Sequence, residues 1–266
     1  MDIRSLGYRT ELIFPRFDGE ITEREDYWVI RTPSNPTFFW GNYLLYKQPP
    51  AEGDYARWRA AFAREIGVQP QVNHVVFGVD AIDGQPGAVQ PFLDAGFTLF
   101  ETVVLTASAV QPPPRLNHEV SVRRLVEDWE WQQAIENQTA DRPEGHSEGA
   151  YRIFQERRFA RYRKMTAAGL GYWFGAFLGE TMVADLGIYR DREIGRFQTV
   201  ETLLAFRRRG ICGTLVYTAA RCAFEEMGLR TLVMLADEHY FAAGIYESVG
   251  FQRTEVNVGL EWFQPS

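Results

Sequence analysis

Three arginines and a glycine stand at the most chemically suggestive point of the chain, Arg207-Arg208-Arg209-Gly210. The residues before them, Phe197–Leu203, are rich in β-branched and aromatic types and read as an extended strand. From Ile211 onward, Cys212, Val216, Ala219, Ala223 and Met227 recur at helical spacing. A strand that passes through a basic, glycine-bearing turn into a helix leaves free backbone N–H groups at the positive end of a helix dipole. Such an arrangement binds phosphate or pyrophosphate. Two groups able to carry protons lie nearby or further along. Glu201 sits at the strand's end. Tyr246 lies on a short amphipathic segment, and a phenol with a pKa of ~10 stays protonated at neutral pH.

The elements that must hold these groups follow from the pattern of apolar residues. Strands are expected at 27–32, 38–46, 72–79 and 97–107, with helices at 54–66 and 87–95. Gln111-Pro112-Pro113-Pro114 cannot lie inside a helix or central strand and reads as a linker. The domain boundary is therefore placed there, giving domains 1–113 and 114–266, with a stiff loop inside one continuous fold as the alternative. Beyond it come a strand at 120–125, helices at 127–138 and 151–168, and strands at 172–177, 181–188 and 193–202. The helix from Ile211 ends near Gly228, followed by a strand at 231–236, a helix at 240–249 and a strand at 252–262. The polar stretch 139–149 is a loop.

The turn matches R-x-x-G-x-G/A, with Arg207, Gly210 and Cys212 at positions one, four and six, and Cys212 replacing the final small residue. With the element order after the linker, this resembles the GNAT superfamily of N-acyltransferases over about residues 118–263. The resemblance implies a mixed α/β fold, acetyl-CoA as co-substrate and direct attack of an amine on the thioester. It places the pyrophosphate on the loop Arg207, Arg208, Arg209, Gly210, Ile211, Cys212, Gly213 and Thr214. It places the pantetheine arm along a splayed strand end at Val200, Thr202 and Leu203. In A-G-I-Y-E-S-V-G-F, Tyr246 matches the tyrosine that protonates the leaving thiolate, and Ala242 matches a small residue of the same segment. His239 stands where the family commonly has Asn. For the base, Glu201 fits by position. A salt bridge to a neighbouring arginine fits it equally well. Asp185, Glu148 and Asp141 lack any motif.

An internal likeness adds to this. Phe92-Leu93-Asp94-Ala95-Gly96-Phe97 and Tyr246-Glu247-Ser248-Val249-Gly250-Phe251 each precede a strand. The first domain thus reads as a degenerate second copy of the same fold, in which the corresponding turn is Q-P-P-A-E-G-D and lacks the arginine motif. It is expected to shape the acceptor pocket or to act as a packing and dimerisation module, so a homodimer is one expected assembly. The acceptor is expected to be a small-molecule amine or a peptide. Trp129, Trp131, Tyr151 and Tyr172 read as core residues or as walls of a pocket for an organic amine.

Other classes are disfavoured. There is no run of ~18 apolar residues and no apolar signal core at the N-terminus, so a cytoplasmic protein without membrane insertion is expected. The net charge of −7 argues against nonspecific nucleic-acid binding. Glu156 interrupts the one basic helix, Arg152–Lys164. The two cysteines, Cys212 and Cys222, lie ten apart on one expected helix, roughly 15 Å by helix rise, too far for a disulfide. The four histidines are scattered, so no metal is expected. Neither G-x-S-x-G nor G-x-x-x-x-G-K-[ST] occurs. Gly169-Leu170-Gly171 precedes a strand and has its third glycine, Gly175, out of place for a dinucleotide loop. A second class that fits the same residues is a non-catalytic acyl-CoA-binding or sensor protein.

Overall fold

The computed structural model describes residues 2–69, 71–143, 145–237 and 242–263. The chain divides into two compact units, Met1–Val104 with Glu255–Ser266, and Leu105–Thr254. This differs from a break at 113/114 at both ends of the second unit. The proline segment is tied down, with Gln111 N donating to Val249 O at 2.9 Å and Pro113 buried. The last strand, in turn, completes the first unit.

In the first unit, helices α1 (Leu6–Glu11) and α2 (Ile13–Asp18) precede strands β1 (Glu20–Glu23), β2 (Tyr27–Arg31) and β3 (Tyr43–Tyr46). Helix α3 (Asp54–Glu65), strand β4 (His74–Val79), helix α4 (Gln90–Asp94) and strand β5 (Thr98–Ala107) follow. The strands from β1 to β3 are antiparallel neighbours, whereas β4 runs parallel to β3. A parallel neighbour needs a crossover, and α3 supplies it. Alternation along the strands splits the core between two faces. Val29, Leu44, Tyr46 and Phe77 pack with Trp58 and Phe62 of α3, while Trp28, Ile30, Tyr43 and Leu45 pack with Tyr8 and Leu12. Burial on both faces explains the continuous apolar runs in these strands.

The second unit repeats that plan with longer elements. Strand β6 (Ser121–Arg124) is followed by helices α5 (Asp128–Ala140) and α6 (Glu148–Ala167). Strands β7 (Gly171–Leu178), β8 (Thr181–Asp191) and β9 (Ile194–Thr202) form an antiparallel meander next to β6. Helix α7 (Ile211–Glu225) crosses to strand β10 (Thr231–Asp237), parallel to β9, and helix α8 (Ala242–Val249) leads to β11 (Gln252–Phe263). Strand β11 pairs antiparallel with β4 from Val258–Val79 to Phe263–His74, so most of it belongs to the first unit.

Two irregularities in the second unit shape the site. Register between β8 and β9 passes from Asp185–Glu201 to Gly187–Gln198, so β9 carries one extra residue, a β-bulge. Thr199 in the bulge has φ of 32°, and its carbonyl accepts from Gln138 Nε2 of α5 at 3.0 Å. The parallel register of β9 and β10 runs from Ile194–Thr231 to Arg196–Val233, and beyond it both strands continue without further paired positions among the described residues. A gap with unpaired backbone thus opens toward Thr202.

Candidate functional site

The turn between β9 and α7 is built for an anion. A short 3-10 turn, Leu204–Phe206, leads into Arg208 at φ 64° and Gly210 at φ 79°, both left-handed. Gly210 caps α7 with no side-chain hydrogen bond, and the helix's first turn holds no acidic residue. Its leading N–H groups therefore face outward without intrahelical partners, at the positive dipole end. Only glycine fits the cap. Besides the left-handed φ, a Cβ there would sit 2.4 Å from the Arg115 carbonyl oxygen. Behind the cap, α7 anchors itself through Ile211, Leu215, Val216, Ala219 and Ala223, all buried.

A cavity of about 480 Å³ opens between this helix start, the end of β9 and α8. Its walls include Val200, Glu201 and Thr202 from β9, then Arg207, Arg208, Gly210, Ile211, Cys212 and Gly213 from the turn and helix, and Ala242, Ile245 and Tyr246 from α8. Thr202 is buried, and its Oγ1 has no hydrogen-bond partner. The Leu203 amide donates to Val183 O at 3.0 Å, toward β8. Strand alternation then turns the Thr202 amide into the gap, where it donates to Glu201 Oε1 at 2.8 Å.

Arg207 does not reach toward an incoming anion. Its Nε donates to Thr202 O at 2.8 Å, and its Nη2 lies 3.0 Å from both Glu201 Oε1 and Asp141 Oδ2. The salt bridge open to Glu201 is therefore formed. Burial nonetheless raises the Glu201 carboxyl to about 7, because desolvation outweighs the pull of the Arg207 guanidinium and Asp141 adds negative charge. A carboxyl titrating there exchanges protons readily at neutral pH. Burial and the nearby Glu201 charge push the Cys212 thiol up to about 12, so it is no nucleophile at neutral pH. Asp185, opposite Glu201 in the register, is fully buried. Its Oδ1 accepts from Gln138 Nε2 and Trp173 Nε1, both at 3.0 Å, and burial raises it to about 7.

The structure thus brings together Tyr246, Glu201, Val200, Thr202, Arg207, Arg208, Gly210, Ile211, Cys212, Gly213 and Ala242. Three expected contacts fall elsewhere. Leu203 pairs into the sheet. Arg209 packs its guanidinium 5.2 Å from the Phe206 ring centroid, and its carbonyl accepts from Asn117. The Thr214 hydroxyl donates to Gly210 O and accepts from Asn117 N, which makes it a brace of the turn. His239 lies outside the described residues. Of the aromatic residues considered for an acceptor pocket, Trp131 is core, while Tyr172 stacks under Arg124 at 3.9 Å.

Sequence reasoning set aside Asp141 for want of a motif and did not place the proline run at the site. Asp141 lines the cavity from the end of α5. Pro113, Pro114 and Arg115 line it too, although they read as a spacer. No local signal marks a proline run as a wall, because its packing partner lies almost a hundred residues away in sequence. The arginines of α6 do not form a free basic face. Arg161 is buried, Arg158 bonds the Tyr162 hydroxyl at 2.9 Å, and Arg163 pairs with Asp128. Among the described residues, no group of three or more His, Cys, Asp or Glu could hold a metal ion, and no helix is long and apolar enough to cross a membrane.

The equivalent turn of the first unit is chemically different. Gly53 caps α3 in the same left-handed conformation, φ 84°. There the first turn begins with Asp54, whose carboxylate accepts from Ala51 N and pairs with Arg57. The helix end that an anion would use already carries one.

No protein-family model matches the chain, and no curated protein aligns with it significantly. Solved structures do. A conserved protein of unknown function from Staphylococcus epidermidis superposes with a TM-score of 0.73 at 14% identity, over 93% of this chain and 95% of its own. A GCN5-related N-acetyltransferase from Kribbella flavida gives 0.65 at 12% identity, over 98% and 96%. A tandem GNAT protein from the clavulanic acid biosynthesis pathway gives 0.57 at 12%, over 100% and 94%. Two repeated β-α-β plans, a splayed β9–β10 pair and whole-chain superposition on these proteins agree that the chain has the fold of the GNAT N-acetyltransferases.

Proposed function

We propose that the second unit is an N-acetyltransferase that moves an acetyl group from acetyl-CoA to a primary amine of a small molecule or peptide. The observation that carries this reading is the one cavity shared by the amide-lined start of α7, the end of β9 beyond its pairing with β10, and Tyr246. The α7 turn would take the diphosphate, and the gap beside Val200–Thr202 the pantetheine arm. The amine nitrogen attacks the thioester carbonyl, and its proton passes to the Glu201 carboxylate. The C–S bond then breaks, and the departing thiolate takes the Tyr246 proton. Proton transfers of this kind contribute about 10²–10⁴-fold each. A CoA donor goes with a cytoplasmic setting. The first unit, with Asp54 at its helix start, is a degenerate copy without a donor site.

A second reading, acyl-CoA binding without catalysis, draws on one observation. Glu201 Oε1 is already shared by Arg207 Nη2 and Thr202 N. Calorimetric titration with acetyl-CoA tests what both readings share. Wild type should bind saturably, and Arg208→Glu, which reverses charge at the cavity mouth, should bind at least tenfold more weakly. No binding by wild type sinks both. An amine-library assay on wild type and Tyr246→Phe then separates them, since turnover that collapses in the variant supports catalysis.

A further inference from the structure

The segment from Pro112 to Asn117 lies across the start of α7. Pro113 is buried, and a Cβ on Gly213 would come 3.0 Å from its ring. The Arg115 carbonyl presses on Gly210. Arg115 Nη1 donates to Arg208 O at 2.8 Å, and Asn117 Nδ2 donates to Arg209 O at 3.0 Å. The Asn117 amide donates to Thr214 Oγ1 at 2.8 Å. The strap therefore takes up two successive carbonyls of the turn, including that of Arg208 in its left-handed conformation. Such strained conformations persist only where surrounding structure over-determines them. With the carbonyls turned to the strap, the donors of the turn are left for the cavity.

Charge points the same way. Arg207 is spent on Thr202 O, Glu201 and Asp141. Arg115 and Arg208 also line the cavity, and neither has a carboxylate partner among the described residues. We propose that Arg115, carried by the proline strap, is a donor-binding residue that pairs with the diphosphate of a CoA-type donor and replaces the charge that Arg207 withholds. This rests on the acyl-CoA reading. The consecutive prolines fix φ in advance, so the strap loses little freedom when the ligand arrives.

The test compares acetyl-CoA with S-acetyl-pantetheine, which lacks the phosphates, by calorimetry on the full chain. Arg115→Ala should weaken acetyl-CoA binding about five- to tenfold, as expected for a charge-assisted contact, and leave S-acetyl-pantetheine unchanged. Arg115→Lys should restore part of the loss, and the difference from wild type should shrink at high salt. Equal weakening of both ligands, or an unchanged acetyl-CoA affinity in Arg115→Ala, would overturn the assignment while leaving the donor site standing. Failure of wild type to bind acetyl-CoA would instead overturn the reading beneath it.

Discussion

Glu201 and Asp185 face each other across β9 and β8, yet burial gives them different work. Glu201 borders the cavity, so its protonation meets the solvent and any bound amine. With the Glu201 carboxyl raised to about 7, the acetylation rate should climb with pH through that value as the base ionises. Glu201→Gln should lower kcat about 10²-fold and abolish that limb of the pH profile. Tyr246→Phe should lower kcat by a similar factor while the limb stays. Steady-state rates from pH 5.5 to 9 check both. Asp185 is buried, hydrogen-bonds Gln138, Trp173 and Asn137, feels the Glu201 charge and acts on stability. Its folded pKa of about 7 lies above that of an unfolded aspartate. The folded state therefore holds the proton where the unfolded state has lost it, and stability falls as pH rises from the ordinary carboxylate range to about 7. Asp185→Asn should flatten this decline, leaving the part due to Glu201, in melting temperatures taken from pH 4.5 to 8.

At the scale of elements, the two helix starts offer a controlled comparison. Gly53 and Gly210 adopt the same left-handed cap, but a Cβ on Gly53 meets nothing within 4 Å, whereas one on Gly210 meets the Arg115 carbonyl. Gly53→Ala should cost only the backbone penalty, roughly 1–2 kcal/mol. Gly210→Ala should cost more in urea unfolding and should also weaken acetyl-CoA, because the strap must move. The β9 bulge is a second local device. Gln138 spends its amide hydrogens on Asp185 Oδ1 and Thr199 O, joining the buried acid to the strand that lines the cavity. Most strands and helices were legible from apolar periodicity, within a few residues at their ends, but the strand expected at 38–46 exists only as Tyr43–Tyr46, after a 3-10 turn at Phe39–Gly41, and the short strand Glu20–Glu23 was not foreseen. The six-residue helices α1 and α2 were not legible, since so short a stretch shows too few turns for a period to emerge.

At the scale of the molecule, the last strand is far from its partners in sequence and belongs with them in space. Val258 and Leu260 are buried in the first unit's core beside Phe77. Glu255 accepts from the Ser5 hydroxyl and the Leu6 amide at the start of α1. Burial of two such aliphatic side chains is worth roughly 1.5–3 kcal/mol each, before the lost strand pairing. Truncation after Thr254 should therefore unfold the first unit. Limited proteolysis with mass mapping should show new cuts within residues 1–104, and protection there at the wild-type level would contradict the assignment.

The sequence by itself determined the order of elements, the basic turn and its glycine, and the place of Glu201 a few residues before that turn, whereas Tyr246 joined them on a family resemblance and reaches the cavity only through the fold. Those properties are local: apolar period, capping preference and conformational freedom are written in neighbouring residues. Tertiary structure alone decided that Arg207 turns inward to Glu201 and Asp141, that the proline run becomes a wall of the cavity, and that the final strand completes the first unit. Each of those outcomes depends on which distant groups compete for a donor, a carbonyl or an open strand edge, and that competition is settled only when the chain has folded.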